Sequence, residues 1–241
     1  QVGRSILAKV QAYQEPFFVP SRSELDLSDP QSIQRVLESR DWTTIINAGA
    51  YTAVDQAESE PLLAEAINAN APSILARFCH EHAIPLIHFS TDYIFAGDAS
   101  SPYKEDDDTA PIGIYGASKL AADKAILESH CRAVILRTAW VVSPYGKNFI
   151  KTVLRLAQER AEIRVVADQY GCPTGAQDLA SVVLSILPRL MADQNAPTGI
   201  YHCCNQGETT WAGLARVVME ESTRLGGTRA RIIDITTADY S

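Results

Sequence analysis

Tyr115 and Lys119, in the run Tyr115-Gly116-Ala117-Ser118-Lys119, are the residues of this 241-residue chain whose types and spacing bear most directly on chemistry. Positions four apart share one face of a helix, so a phenol and an ammonium would lie side by side. A phenol with a pKa near ~10 is a poor proton shuttle at neutral pH, and a neighbouring ammonium favours the phenolate and lowers that pKa. The same ammonium can hold ribose hydroxyls. Taken alone, the pair could also be an ordinary exposed helix pair, because such spacings arise by chance. Its weight comes from context: Ser90-Thr91-Asp92-Tyr93 lies about two dozen residues upstream and supplies hydroxyl donors and a carboxylate.

Those residues need a scaffold. Thr44–Ile46, Pro85–Phe89 and Ala133–Leu136 are apolar runs of strand length, and Pro61–His82 and Gly116–His130 carry apolar positions at helical spacing. Asp29-Pro30 opens a further helix, with Asp29 as its N-cap and Pro30 at its first position. The alternation predicts an α/β chain with a doubly wound, Rossmann-type parallel sheet. Ligands of such sheets collect at the carboxyl ends of the strands. Three strand ends carry Asn47-Ala48-Gly49-Ala50, Ser90-Thr91-Asp92-Tyr93 and Arg137-Thr138-Ala139-Trp140, a plausible small-molecule site. Gly97–Gly113 and Asp168–Gly175 read as loops, and the acidic run Glu105–Asp108 as a solvated one.

Composition excludes several classes. Lys+Arg 21 against Asp+Glu 29 gives a net charge of −8, which argues against a nucleic-acid partner. No apolar run approaches the ~18 residues that span a bilayer, so no membrane role is expected. Five cysteines without CxxC pairs suit reduced thiols in a cytoplasmic protein. His80 and His82, two apart at a helix end, point to different faces and cannot chelate one ion together. Cys172 is not expected to be catalytic.

Matched segments in order along nearly the whole chain carry a resemblance. They are Gln1-Val2-Gly3, Asn47 to Asp55 with Glu58, Ser90 to Phe95, Tyr115 with Lys119, Arg137 to Val141, Asn148-Phe149, Asp168 to Thr174 and Thr236 to Tyr240. The chain resembles the extended short-chain dehydrogenase/reductases, and within them the dTDP-4-dehydrorhamnose reductases. The resemblance implies hydride transfer from NADPH or NADH to C4 of a dTDP-4-keto-6-deoxy sugar. It casts Tyr115 as proton donor, Lys119 as its tuner and ribose ligand, and Thr91 as a hydrogen-bond donor to the ketone oxygen. Two aimed hydroxyls stabilise the charge that develops on that oxygen more in the transition state than before it.

Family matching also gives Gln1 and Val2 to the pyrophosphate loop, and Asp26 and Leu27 to the adenine. Ala50, Tyr51 and Thr52 fall on the nicotinamide side, Phe89 among the cofactor contacts, and Asp92, Trp140 and Asn148 on the sugar nucleotide. Arg22, taken to follow a second strand, is a candidate for a 2′-phosphate and so for NADPH. Trp140 could instead be a core aromatic, and Asp168 to Thr174 merely a rigid turn.

The implied domains are residues 1–140 as the NAD(P)-binding part, with returns at roughly 175–205, and residues 141–241 as a smaller, incomplete substrate lobe. Magnesium bridges dimers in some of these reductases, but the matching glutamate positions here are Ser5 and Gln177. A monomer or weak homodimer without metal is therefore expected. Relatives begin with a strand and a glycine-rich turn, of which only Gln1-Val2-Gly3 matches, so the sheet is expected to lack its first strand. The rival reading is a non-catalytic regulatory subunit of the methionine adenosyltransferase β type. Sugar-nucleotide dehydratases place Asp-Glu after the threonine where this chain has Asp92-Tyr93, which disfavours elimination.

Overall fold

The computed structural model describes residues 1–10 and 17–240. In chain order the elements are helix α1 (Val2–Val10), α2 (Pro30–Leu37), strand β1 (Ile45–Asn47), and the short helices α3 (Val54–Ala57) and α4 (Pro61–Glu65). A π turn (Ala66–Asn70), α5 (Ala71–Glu81), β2 (Leu86–Thr91), a 3-10 turn (Asp92–Ile94), α6 (Ile114–Glu128) and β3 (Ala133–Thr138) follow. Next come β4 (Val141–Val142), α7 (Phe149–Glu159), β5 (Glu162–Val166), β6 (Tyr170–Gly171), β7 (Thr174–Gly175) and α8 (Ala176–Ala192). The chain closes with β8 (Gly199–His202), β9 (Thr209–Thr210), α9 (Trp211–Arg224), β10 (Arg231–Ile235) and a 3-10 turn (Thr237–Asp239).

The apolar runs become a parallel sheet in the order β1-β2-β3-β8. β2 and β3 pair from Leu86↔Ala133 to Thr91↔Thr138, so two threonines end the central strands side by side. Every residue of β3 is buried, and every residue of β2 except half-buried Phe89, as expected of a parallel sheet covered on both faces. Leu86, Ala133 and Ile135 pack against Ala76 and Cys79 of α5 and Ile126 of α6. Ile33 and Leu37 of α2 pack in turn on Ala71 and Leu75 of α5.

Local sequence explains most boundaries. Asp29 Oδ1 accepts the Gln31 N–H at 2.9 Å as the N-cap of α2, with Pro30 at the first position. The apolar stretch 61–82 is three pieces rather than one helix: α4, the π turn and α5, which ends at Glu81. The loop expected over Asp168–Gly175 contains β6 and β7, paired with β9 and β4. Residues 17–20 carry no strand, so none is seen directly before Arg22, and residues 11–16 lie outside the described residues. Among the described residues no strand precedes β1.

The chain divides into two units. One comprises residues 6–138 and 181–203 and contains the four-stranded sheet. The other comprises residues 1–5, 139–180 and 204–241. Its core joins Val153 and Ala157 of α7, Ile163 and Val165 of β5, and Ala212, Ala215, Val218 and Met219 of α9. β5 pairs in parallel with β10 there. Among the described residues, no helix is long and apolar enough to cross a membrane.

Candidate active site

In the sheet-bearing unit the candidate residues gather where β2 ends. Thr91 closes that strand and caps the 3-10 turn: its Oγ1 accepts the Tyr93 N–H at 3.3 Å and donates to Asp92 Oδ1 at 3.1 Å. Desolvation by the surrounding protein raises the Asp92 pKa, and the Thr91 bond opposes that rise. Tyr93 stands edge-on to Tyr115, with ring centroids 5.6 Å apart.

Tyr115 and Lys119 share helix α6, as their spacing predicts. Their electrostatics differ from expectation. Burial pushes the Tyr115 phenol up to about 12, partly offset by a hydrogen bond with the Thr91 side chain. The Lys119 ammonium does not pull it down, because Nζ is turned to the backbone of β2: it donates to Phe89 O at 2.6 Å and meets His88 Nε2 at 3.2 Å. At 2% exposure, burial lowers Lys119 itself to about 8, with Asp123 acting in the opposite direction.

Several residues that spacing alone did not single out build this scaffold. Asn68, turned inward by the π turn, donates to Tyr51 O at 3.0 Å and Ser118 Oγ at 3.1 Å, and accepts the Tyr51 N–H at 2.8 Å. It thereby ties the Ala50–Thr52 loop to α6. Asp123, one turn beyond Lys119, accepts from Arg137 Nε at 3.2 Å, in a pair 1% and 5% exposed. The i, i+4 spacing of Lys119 and Asp123 was the available signal. Arg137 Nη1 donates on to Glu105 O at 3.0 Å, and Glu105 Oε1 accepts the His202 N–H at 2.8 Å. Glu105 is thus bonded into the fold, unlike a freely solvated acidic loop. Glu58 Oε1 accepts the Ile114 N–H at 2.8 Å and so caps α6 from α3.

The remaining cofactor candidates in this unit lie at the surface or close to it. Gly49, Ala50 and Thr52 are exposed, with Tyr51 half-buried. A Cβ on Gly49 would meet Leu27 Cδ1 at 2.6 Å, so only glycine lets β1's exit lie against Leu27. Asp26 Oδ1 accepts the Ser28 N–H at 2.9 Å and the Ser28 hydroxyl at 2.7 Å, bonds that lower its pKa, with a smaller contribution from Arg22.

The other candidates belong to the second unit. Gln1 Oε1 accepts from Asn148 Nδ2 at 3.0 Å and Ser143 Oγ at 3.2 Å, and Val2 begins α1. Asn148 is the N-cap of α7: Oδ1 accepts the Lys151 N–H at 3.1 Å and Nδ2 also donates to Ser143 O at 2.7 Å. Trp140 has φ +46, a left-handed conformation rare for a bulky residue. Trp211 stacks on it at 3.4 Å between centroids, and a Cβ on Gly171 would strike its ring at 2.4 Å. Asp168 accepts the Thr237 N–H at 2.9 Å and its hydroxyl at 2.7 Å. The Asp168–Thr174 segment is therefore bonded well beyond a simple turn.

Magnesium fits poorly at the positions matched to it. Ser5 is 1% exposed and neither it nor Gln177 brings the carboxylate a hard cation prefers.

Comparison with known proteins places the chain. A family model described as the RmlD substrate binding domain matches residues 1–241. A dTDP-4-dehydrorhamnose reductase of Sinorhizobium fredii is 40% identical over 220 residues, covering 91% of this chain and 74% of the relative. One from Shigella flexneri is 42% identical over 201 residues, covering 83% and 67%. The crystal structure of dTDP-4-dehydrorhamnose reductase from Bacillus anthracis in complex with NADP superposes with a TM-score of 0.90 at 33% identity, covering 100% of this chain and 82% of that one. Matching of this extent in both sequence and fold makes the chain a member of the RmlD substrate binding domain family, to which its dTDP-4-dehydrorhamnose reductase relatives point.

Proposed function

We propose that this protein reduces the C4 ketone of dTDP-4-dehydrorhamnose to dTDP-L-rhamnose with NADPH or NADH. The observation that carries the reading is the meeting of the Thr91 hydroxyl and the Tyr115 phenol at the carboxyl end of β2, on the helix that also bears Lys119. A bound reduced nicotinamide supplies the hydride. The chain's own residues handle the oxygen. Thr91 can turn its hydroxyl proton from Asp92 Oδ1 to the ketone oxygen, and Tyr115 O–H can protonate that oxygen as negative charge develops. A phenol held at about 12 keeps its proton at neutral pH yet can give it up to the more basic alkoxide that hydride transfer creates, which suits the reductive direction. Lys119 would hold the nicotinamide ribose, with Ala50, Tyr51, Thr52 and Phe89 as the further cofactor contacts. In the sheet-bearing unit Asp26 and Leu27 would bind the adenine and Asp92 the dTDP-sugar; in the other unit Gln1 and Val2 would serve the pyrophosphate, and Trp140 and Asn148 the dTDP-sugar. Exposed Arg22 favours the 2′-phosphate of NADPH, and the Bacillus anthracis relative was solved with NADP.

The relatives' shared name supports this reading over a regulatory subunit. Cysteines outside any disulfide among the described residues accord with a reducing cytoplasm. Ser5 and Gln177 in place of carboxylates support a monomer or weak homodimer, and sedimentation unchanged by magnesium is the expected result. The deciding experiment mixes the intact gene product, NADPH and dTDP-4-dehydrorhamnose, and follows the nicotinamide absorbance and the dTDP-L-rhamnose formed. Absence of turnover would overturn the reading.

A further inference from the structure

Behind Lys119 runs a buried line of polar groups that proton donation by Tyr115 does not use. Gly49 N–H donates to Asn47 Oδ1 at 3.2 Å, and Asn47 Nδ2 meets His88 Nδ1 at 3.1 Å. His88 Nε2 meets Lys119 Nζ at 3.2 Å, and Nζ donates to Phe89 O at 2.6 Å. Asn47, His88 and Lys119 are 5%, 1% and 2% exposed, so bulk water cannot substitute for any of these partners.

One assignment of donors and acceptors makes every bond, and it is reached as Lys119 loses its proton, at a pKa of about 8. Burial holds His88 neutral, with its pKa well below the usual imidazole value, and a neutral imidazole has a single N–H. Gly49 occupies the Asn47 oxygen, so the amide presents its nitrogen, a donor, to Nδ1. Nδ1 therefore accepts, and the ring proton sits on Nε2, facing the lysine. Lys119 can accept that proton's hydrogen bond only as a free amine, while its own N–H bonds the Phe89 carbonyl. All four bonds then point the same way, from Gly49 to Phe89. An ammonium would set two donors head to head at Nε2.

We propose that His88, with its tautomer set by Asn47, is the positioning residue of Lys119: it holds Nζ at the carboxyl end of β2 and favours the amine over the ammonium. This rests on the reading of Lys119 as part of the Tyr–Lys pair. The consequence is a lysine whose charge changes near the working pH instead of near ~10.4. The other groups that bear on its titration are Asp123 on α6, which raises it, and Arg137 of β3, paired to Asp123. Tyr115 and Asp92 stand at the same strand end, while Asn47 of β1 and Asn68 of the π turn do not titrate.

The test uses nuclear magnetic resonance of the whole protein carrying 13Cε-lysine and 15N-histidine, without substrate or cofactor. The chain has six lysines, and Lys119→Met identifies the Lys119 signal by its loss. The expected wild-type result is a Lys119 titration well below that of the other lysines and a His88 proton on Nε2. His88→Asn keeps a polar partner for Asn47 but has no atom at the Nε2 position; the Lys119 pKa should rise by about one unit or more, roughly tenfold in proton affinity. Asn47→Asp keeps an acceptor for Gly49 but sets a second acceptor against Nδ1. It should move the ring proton to Nδ1 and raise Lys119 as well. A wild-type proton on Nδ1, or a Lys119 titration unmoved by these substitutions, overturns the proposal. If His88→Asn fails to fold, Asn47→Asp decides by itself. Because no turnover is read, the outcome is separate from that of the reductase assay.

Discussion

The Tyr115 phenol, at about 12, holds its proton throughout the neutral range, and a reductase needs its acid in that form until the alkoxide appears. Tyr115→Phe should lower kcat by about 10²- to 10⁴-fold while leaving NADPH affinity unchanged; stopped turnover and cofactor fluorescence, measured together, check this. Arg22 is exposed, and in the proposed role it would meet the 2′-phosphate through its charge, so Arg22→Ala should raise KM for NADPH and leave KM for NADH unchanged. Equal effects on both cofactors would remove Arg22 from the 2′-phosphate. At this scale Tyr115, Lys119 and Thr91 were legible because their types and spacing are themselves chemical. His88 was not, since it sits inside the apolar run Pro85–Phe89, where a strand pattern conceals what lies across the sheet face.

Helix α6 carries the pair, and its seating is set by close approach. A Cβ on Gly116 would stand 2.1 Å from Tyr93 O, so either the helix or the 3-10 turn must retreat. Gly116→Ala should cost about 1–3 kcal/mol in urea unfolding and lower kcat by displacing Tyr115 relative to Thr91. A variant with wild-type stability and rate would show that the contact is not seated as described. The same helix is tied to β3 by Asp123 and Arg137, buried on both sides. Removing one partner leaves a buried charge, so Arg137→Met should destabilise by about 3–5 kcal/mol, and adding Asp123→Asn should restore much of the loss. Denaturant midpoints of the single and double variants measure that coupling. The helix's length followed from its apolar spacing; its partners could not, because Glu58, Asp123 and Arg137 meet only after folding.

For the whole molecule, buried Lys119 couples stability to pH. Its pKa falls from 10.5 to about 8 on folding, so between those values the unfolded chain binds more protons than the folded one. Stability should therefore rise with pH from about 8 toward 10.5, recovering on the order of 3 kcal/mol that the buried charge costs below that window. Lys119→Met should flatten this rise and stabilise the protein at neutral pH while lowering turnover; urea midpoints across the pH range read it directly. The parallel sheet, its strand ends and the order of hydroxyl, phenol and lysine were determined by sequence alone, because period, apolar runs and residue type are local quantities. The π turn that splits one helical stretch, the pairing of the Asp168–Thr174 segment and the Trp140 stack on Trp211 were decided by contacts between distant segments. So was the direction in which Lys119 points. Spacing placed it beside Tyr115, but burial and the Phe89 carbonyl turned its charge inward. Desolvation depends on what surrounds a group in space, which no spacing along the chain records.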